Sequence, residues 1–239
     1  MFLTTALRMA KKTIENPWIN LRQSPPYILE EDRAAVEAFN KEIRKSLKRE
    51  YLIIPRSLPE PFIGNPHTAT IVFLSLNPGH KRADLKWHRK RIFKMAVRSN
   101  LRHDKTKYPF YPLDPKFEQS PVAIWWKKCL KGLLKEVNDD ALVASKVCVI
   151  EWFPYHSVRA KLGAFQKRHL FSQLYSFDLA CNASRDKTKL VVVMRACKIW
   201  EQLVGSLTGA IRLKNYRRLS VSSGNLHPGD FEMLLKAIR

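Results

Sequence analysis

The sequence predicts an α/β fold: a three-layer α/β/α sandwich around a mainly parallel central sheet. Three observations predict it. Apolar runs of strand length recur at residues 70–76, 146–151 and 189–194. None alternates with polar residues, which marks strands covered on both faces. Segments with helical periodicity lie between them, and strand–helix alternation is the signature of such a sandwich.

The elements follow in order. Residues 30–51 read as an amphipathic helix, with Val36, Phe39, Ile43 and Leu47 at helical spacing and Asp32 as a capping carboxylate near its start. Pro55, Pro59, Pro61 and Pro66 mark an irregular connection, which separates an N-terminal helical extension (1–65) from the α/β domain (66–239). The first strand is Thr70 to Leu76, the second Lys146 to Glu151 and the third Lys189 to Met194. Arg218 to Ser222 is a weaker fourth. Helices are expected over 121–137, 167–184, 196–204 and 228–238, the last with Pro228 at its first helical position.

Lys and Arg number 43 against 21 Asp and Glu, a net charge of +22 in a chain that is 45% hydrophobic. A core-forming chain this basic points to a polyanion as partner. A membrane is not expected, because no stretch approaches the roughly 18–20 apolar residues needed to span one. The opening MFLTTALRMAKK puts its charges after its apolar residues, the reverse of a signal peptide. Its lack of acidic residues loosely resembles a transit peptide, but a cytoplasmic location is the default. Cys129, Cys148, Cys181 and Cys197 form no close pair. They read as core thiols rather than a disulfide framework or a zinc or iron–sulfur site, so neither metal nor cofactor is expected.

Ligands of such sheets bind beyond the carboxyl ends of the strands. Three of the runs lead into polar, turn-forming loops: Asn77-Pro78-Gly79-His80, then Trp152 to Ser157, then Ser223 to Gly229. In the first, Pro78 fixes its own dihedral and Gly79 permits close backbone approach, so the turn would hold the Asn77 amide rigidly.

Ile71 to Gly79, a hydrophobic strand ending in Asn-Pro-Gly, resembles the first motif of the uracil-DNA glycosylase superfamily, in particular its mismatch-specific and single-strand-selective branches. Tyr108-Pro109-Phe110-Tyr111 is similar to the loop that supplies the aromatic platform under a flipped base there. Pro115 through Trp125-Trp126 is similar to the helix that follows. Val147 to Glu151 falls where the family carries its base-reading side chain, and Ser222 to Gly229 where it carries its second catalytic motif. The resemblance spans roughly Thr70 to the C-terminus and makes 66–239 the catalytic domain.

The resemblance implies a monofunctional DNA glycosylase. Asn77 would position the attacking water, and His227 would donate to the departing base. Gly229 stands where the family has Ser, and an alternative register puts Ser222-Ser223-Gly224 on that motif. Phe110 or Tyr111 would stack on the extruded base, with Gly79, Tyr155 and His156 as further base-binding groups. Glu151 departs from uracil-specific relatives, which carry Asn at that strand end. An ionised carboxylate only accepts hydrogen bonds, so it would clash with uracil O4 and accept from the 4-amino group of a cytosine. If protonated, it would also donate to the cytosine ring nitrogen. Host cytosine must be spared, which points to a modified cytosine, such as the glucosylated hydroxymethylcytosine of phage DNA, and to phage defence.

Basic clusters supply the DNA-contact expectation: Lys81, Arg82, Arg89 and Arg91 after the first motif, and Arg217, Arg218, Ser223 and Asn225 near the second. Trp87 or Leu226 would fill the gap left by a flipped base. The competing readings are an ordinary uracil repair glycosylase and a non-catalytic nucleic-acid-binding protein of the same fold.

Overall fold

A computed structural model describes residues 14–161, 163–205 and 207–239. The apolar opening at 1–12 lies outside the described residues. In order, the chain forms helix α1 (Glu30–Lys45), strands β1 (Phe62–Ile63) and β2 (Ile71–Ser75), and helices α2 (Asp84–Trp87) and α3 (Arg91–Leu101). Helices α4 (Pro121–Cys129), α5 (Lys131–Val137) and α6 (Asp140–Lys146) lead into β3 (Val147–Glu151). Then come α7 (Gly163–Lys167), α8 (Phe171–Arg185), β4 (Leu190–Val193), α9 (Cys197–Val204), β5 (Ile211–Arg212) and α10 (Asp230–Ile238).

The fold is α/β with a five-stranded mixed sheet of order β1-β3-β2-β4-β5. β2 runs parallel to both β3 and β4, β4 runs parallel to β5, and β1 is antiparallel to β3. Every residue of β2 and β3 is buried, as their unbroken apolar sequences require. Helix α8 packs on β3 and β4, while α6 packs on β3 and α10 on β2.

β1 was not foreseen, and it carries an otherwise irregular segment to the site. Gly64, at φ +93°, lets the chain hug β3: a Cβ there would lie 2.5 Å from the Val147 carbonyl oxygen. Asn100 of α3 accepts from the Gly64 N–H at 2.9 Å and donates to the Phe62 carbonyl at 2.8 Å, closing the sheet edge with a side chain. Residues before 66 share one core with the sheet, through Trp18, Leu29, Val36, Leu58 and Phe62.

The sheet expected to be mainly parallel is mixed, because β1 joins its edge antiparallel, and local expectations are corrected as well. The fourth strand is Ile211–Arg212, not 218–222. There the backbone finds partners away from a ladder: Asn225 Nδ2 donates to the Arg218 and Ser220 carbonyls, and the Val221 N–H donates to the Cys129 carbonyl. The helix expected over 30–51 ends at Lys45, because Leu47 adopts φ +58° and its side chain is exposed. Asp32 is no cap; it is wholly buried and accepts from the Tyr155 hydroxyl at 2.7 Å. The last helix starts at Asp230 and not at Pro228, with Gly229 at φ +85° preceding it. No helix among the described residues is long and apolar enough to cross a membrane.

Candidate functional site

β2, β3 and β4 end at one level. The Met194 N–H donates to the Leu74 carbonyl and the Phe153 N–H to the Leu76 carbonyl, both at 2.9 Å. Beyond these carboxyl ends lies a cavity of about 420 Å³. Among its lining residues are Asn77, Gly79, His80 and Lys81 from the first loop, and Glu151, His156 and Arg159 from the second. Glu60, Asp84, His88, Trp125, Trp126 and Arg195 line it as well.

Asn77 is half-buried. Its Nδ2 donates to Ser157 Oγ at 3.2 Å and to the Pro78 carbonyl at 3.1 Å. That aims the amide with its Oδ1 acceptor left without a hydrogen bond among the described residues. A Cβ on Gly79 would meet open space, so the turn leaves room for a ligand against its backbone. His156 braces the same turn. Its Nδ1 contacts the Gly79 carbonyl at 2.8 Å and its Nε2 the Leu58 carbonyl at 2.9 Å. Burial pushes its pKa down, opposed by these carbonyls and by Asp84.

Glu151 ends β3 with 5% of its surface exposed, and its Oε2 is buried with no hydrogen-bond partner. Burial drives its pKa up to about 8 against the pull of Ser75 and Arg195, which favours the neutral carboxyl. Glu60 is a site residue that sequence reasoning missed. The Glu151 N–H donates to the Pro61 carbonyl at 2.8 Å and the Glu60 N–H to the Pro154 carbonyl at 3.1 Å, which sets Glu60 beside the end of β3. Burial raises it to about 8 as well, while a hydrogen bond from the Tyr111 hydroxyl lowers it. The available signal was an acidic residue fixed between Pro59 and Pro61. Arg195 was also missed, although it directly follows the third apolar run and the strand-end rule applies there too.

Ligand-capable atoms of Glu60, His88 and His156 lie within 4.8 Å of one another. Their hydrogen bonds do not suit a metal. His88 Nδ1 accepts from the Leu58 N–H at 3.1 Å, so the neutral ring carries its proton on Nε2, and both nitrogens of His156 face carbonyl oxygens. The His88 Nδ1 lone pair is therefore committed to a backbone N–H and is not offered to a cation.

Several predicted residues lie elsewhere. Phe110 is wholly buried and packs edge-on against Trp126 at 5.1 Å, so it stands behind the cavity wall rather than in it. Tyr111 is buried and lines a separate cavity of about 530 Å³ with Tyr108 and His103. Trp125, half-buried, and Trp126, buried, are the tryptophans that line the first cavity, and Trp125 is the more exposed of the two. Tyr155 is buried against Asp32 and does not line the cavity. His227 and Ser223 are exposed on the loop before α10, and neither lines the cavity. Asn225 is buried, with its side chain spent on backbone groups of 215–220. Leu226 is wholly buried, and Trp87 is partly buried with Lys90 Nζ 3.5 Å over its ring, so neither is a free wedge. Of the basic residues, Lys81 lines the cavity, Arg217 lines an adjoining groove, and Arg82, Arg89, Arg91 and Arg218 are exposed. Neither protein-family models, nor curated proteins, nor solved structures gave a match to this chain.

Proposed function

We propose that this protein is a DNA glycosylase with the sandwich of the uracil-DNA glycosylase superfamily, which flips a base into the cavity and hydrolyses its N-glycosidic bond. The observation that carries the reading is Asn77. A neutral amide, clamped by Ser157 and the Pro78 carbonyl, leaves an acceptor oxygen for a water at the edge of a cavity of about 420 Å³, with buried carboxyls in the same wall. An oxocarbenium-like sugar needs a placed water more than a strong base, and an enclosed site strengthens every fixed dipole around the departing anion. Trp125 offers the stacking face. Lys81, Arg159 and Arg195 bring positive charge to a site on a chain of net charge +22, as a DNA ligand requires. Location in the cytoplasm and a role in phage defence belong to this proposal.

The preferred substrate is a modified cytosine, such as glucosylated hydroxymethylcytosine. Neutral Glu151 donates to the cytosine ring nitrogen while its other oxygen accepts from the amino group. The same neutral acid favours a second reading, uracil excision, because with donor and acceptor exchanged it fits N3–H and O4. Ionisation separates the two. As the pH rises through about 8, uracil release falls, since O4 then faces a carboxylate, and amino-bearing bases keep their acceptor.

The test is mass analysis of bases released from phage and host DNA by the protein and by Asn77→Ala. The expected result is a modified cytosine released by the parent, at least about 100-fold slower release by the variant, and DNA binding unchanged. Release of uracil alone overturns the substrate. No released base of any kind overturns the enzyme in favour of a non-catalytic DNA-binding protein.

A further inference from the structure

Beyond β4 and β5, on the far side of Arg195 from the cavity of Asn77, lies an open groove of about 840 Å³. Arg195 lines both. The groove wall also carries Lys198, Arg212 and Arg217 and, among the described residues, no acidic one. Arg212 is paired with Glu201 at 2.5 Å; Arg195, Lys198 and Arg217 form no ion pair among the described residues. Between these charges the floor is apolar, through Leu76 and Leu213, and Tyr216 stands at the rim with 67% of its surface exposed.

An exposed aromatic ring on a loop is ordinarily free to move, but this loop is braced. The buried Asn225 accepts from the Asn215 N–H at 2.9 Å and donates to the Arg218 carbonyl at 2.6 Å and the Ser220 carbonyl at 3.0 Å. The Lys214 N–H donates to the Asn225 carbonyl at 2.8 Å, and the Arg217 N–H to Asn215 Oδ1 at 3.0 Å. Tyr216 is thus carried on a turn whose backbone is tied down on both sides.

We propose that this groove binds an unpaired stretch of nucleic acid, with a base stacked on Tyr216 and phosphates held by Arg195, Lys198 and Arg217. Cations alone would serve any polyanion. The exposed ring and the apolar floor call for a flat apolar face, which a single strand offers and a duplex hides in its stack. An acidic peptide supplies the charge without the π-face. The position beside the cavity deepens the glycosylase reading, on which it rests only for the identity of the polymer as DNA. The groove takes the nucleotides next to the flipped one, so the enzyme prefers strands that are already unpaired.

The experiment uses the whole protein and short, labelled, undamaged DNA, single-stranded or as the matched duplex, read by fluorescence anisotropy across a salt series. Tyr216→Ala is expected to weaken single-strand binding about tenfold and duplex binding less than about twofold, and Tyr216→Phe to restore the parent affinity. Arg217→Ala is expected to lower the salt slope on the single strand by about 0.7. The proposal is overturned if Tyr216→Ala binds the single strand like the parent, or loses equally on both forms. It is also overturned if polyglutamate competes equally well against the parent and Tyr216→Ala. Undamaged DNA carries no base to excise. A chain that releases nothing but keeps Tyr216-dependent binding therefore refutes the glycosylase reading and leaves the groove standing.

Discussion

His156 Nδ1 lies 2.8 Å from the carbonyl oxygen of Gly79, so the loop after β3 holds the turn after β2. The other ring nitrogen reaches the Leu58 carbonyl, and Glu60 Oε2 lies 3.5 Å from it. One buried ring therefore ties together three chain segments that are remote in sequence, and the turn carrying Asn77 is among them.

This makes His156 a positioning residue. His156→Phe keeps a flat ring of similar size and removes both contacts. The single-turnover rate of base release is expected to fall at least about tenfold, while affinity for undamaged DNA stays within about twofold, since a small displacement of a reacting group is costly. His156→Gln, with one amide donor, is expected to recover part of the rate. A parent-like rate in the Phe variant would show that the turn holds itself.

Glu151 and Glu60 link the site to stability. Both carboxyls are raised to about 8 in the folded chain, against 4.5 for the unperturbed group. Between those values the folded state holds protons that the unfolded state releases, so the free energy of unfolding falls as pH rises from about 4.5 to about 8. Below that window both states are protonated and the difference vanishes. Glu151→Gln is expected to remove one of the two contributions. The variant should be more stable than the parent at pH 8.5 by a few kcal/mol, equal to it near pH 4, and impaired in base release. Denaturant titrations at both pH values check this; a variant less stable than the parent at pH 8.5 contradicts it.

Tyr155 belongs to the frame. Its hydroxyl donates to Asp32 Oδ2 at 2.7 Å and accepts from the Leu29 N–H at 3.2 Å, fastening the start of α1 to the loop after β3. Tyr155→Phe leaves a buried N–H unpaired and a buried carboxyl short of a donor. A destabilisation of about 1–3 kcal/mol is expected, with the choice of excised base unchanged. Denaturant unfolding and a base-release profile measure the two effects separately, and an altered base profile would return Tyr155 to the pocket.

The legible parts of the fold were those with a local cause. β2, β3 and β4 read from unbroken apolar runs, each within one residue of its observed ends. The helix expected over 121–137 is two, divided at Leu130, and the one expected over 167–184 is replaced by α7 and α8. β1 and β5 are two residues each, too short to carry a period, and exist because a neighbouring strand offers a ladder.

At the site, the sequence by itself determined that an Asn-Pro-Gly turn, a Glu and a His would follow two buried strands. Strand-end geometry then brings Asn77, Gly79, Glu151 and His156 to one cavity. Only the tertiary structure decided what surrounds them. Phe110 and Tyr111 went behind the wall and Trp125 faced the cavity, because the facing of a helix or loop aromatic depends on what packs across from it. Glu60 entered because β1 pairs antiparallel with β3, a long-range pairing with no local signature. The raised pKa of Glu151 likewise comes from burial, a property of the assembled wall, and under the proposed function it adds the uracil edge to the cytosine edge that a carboxyl at this position would accept.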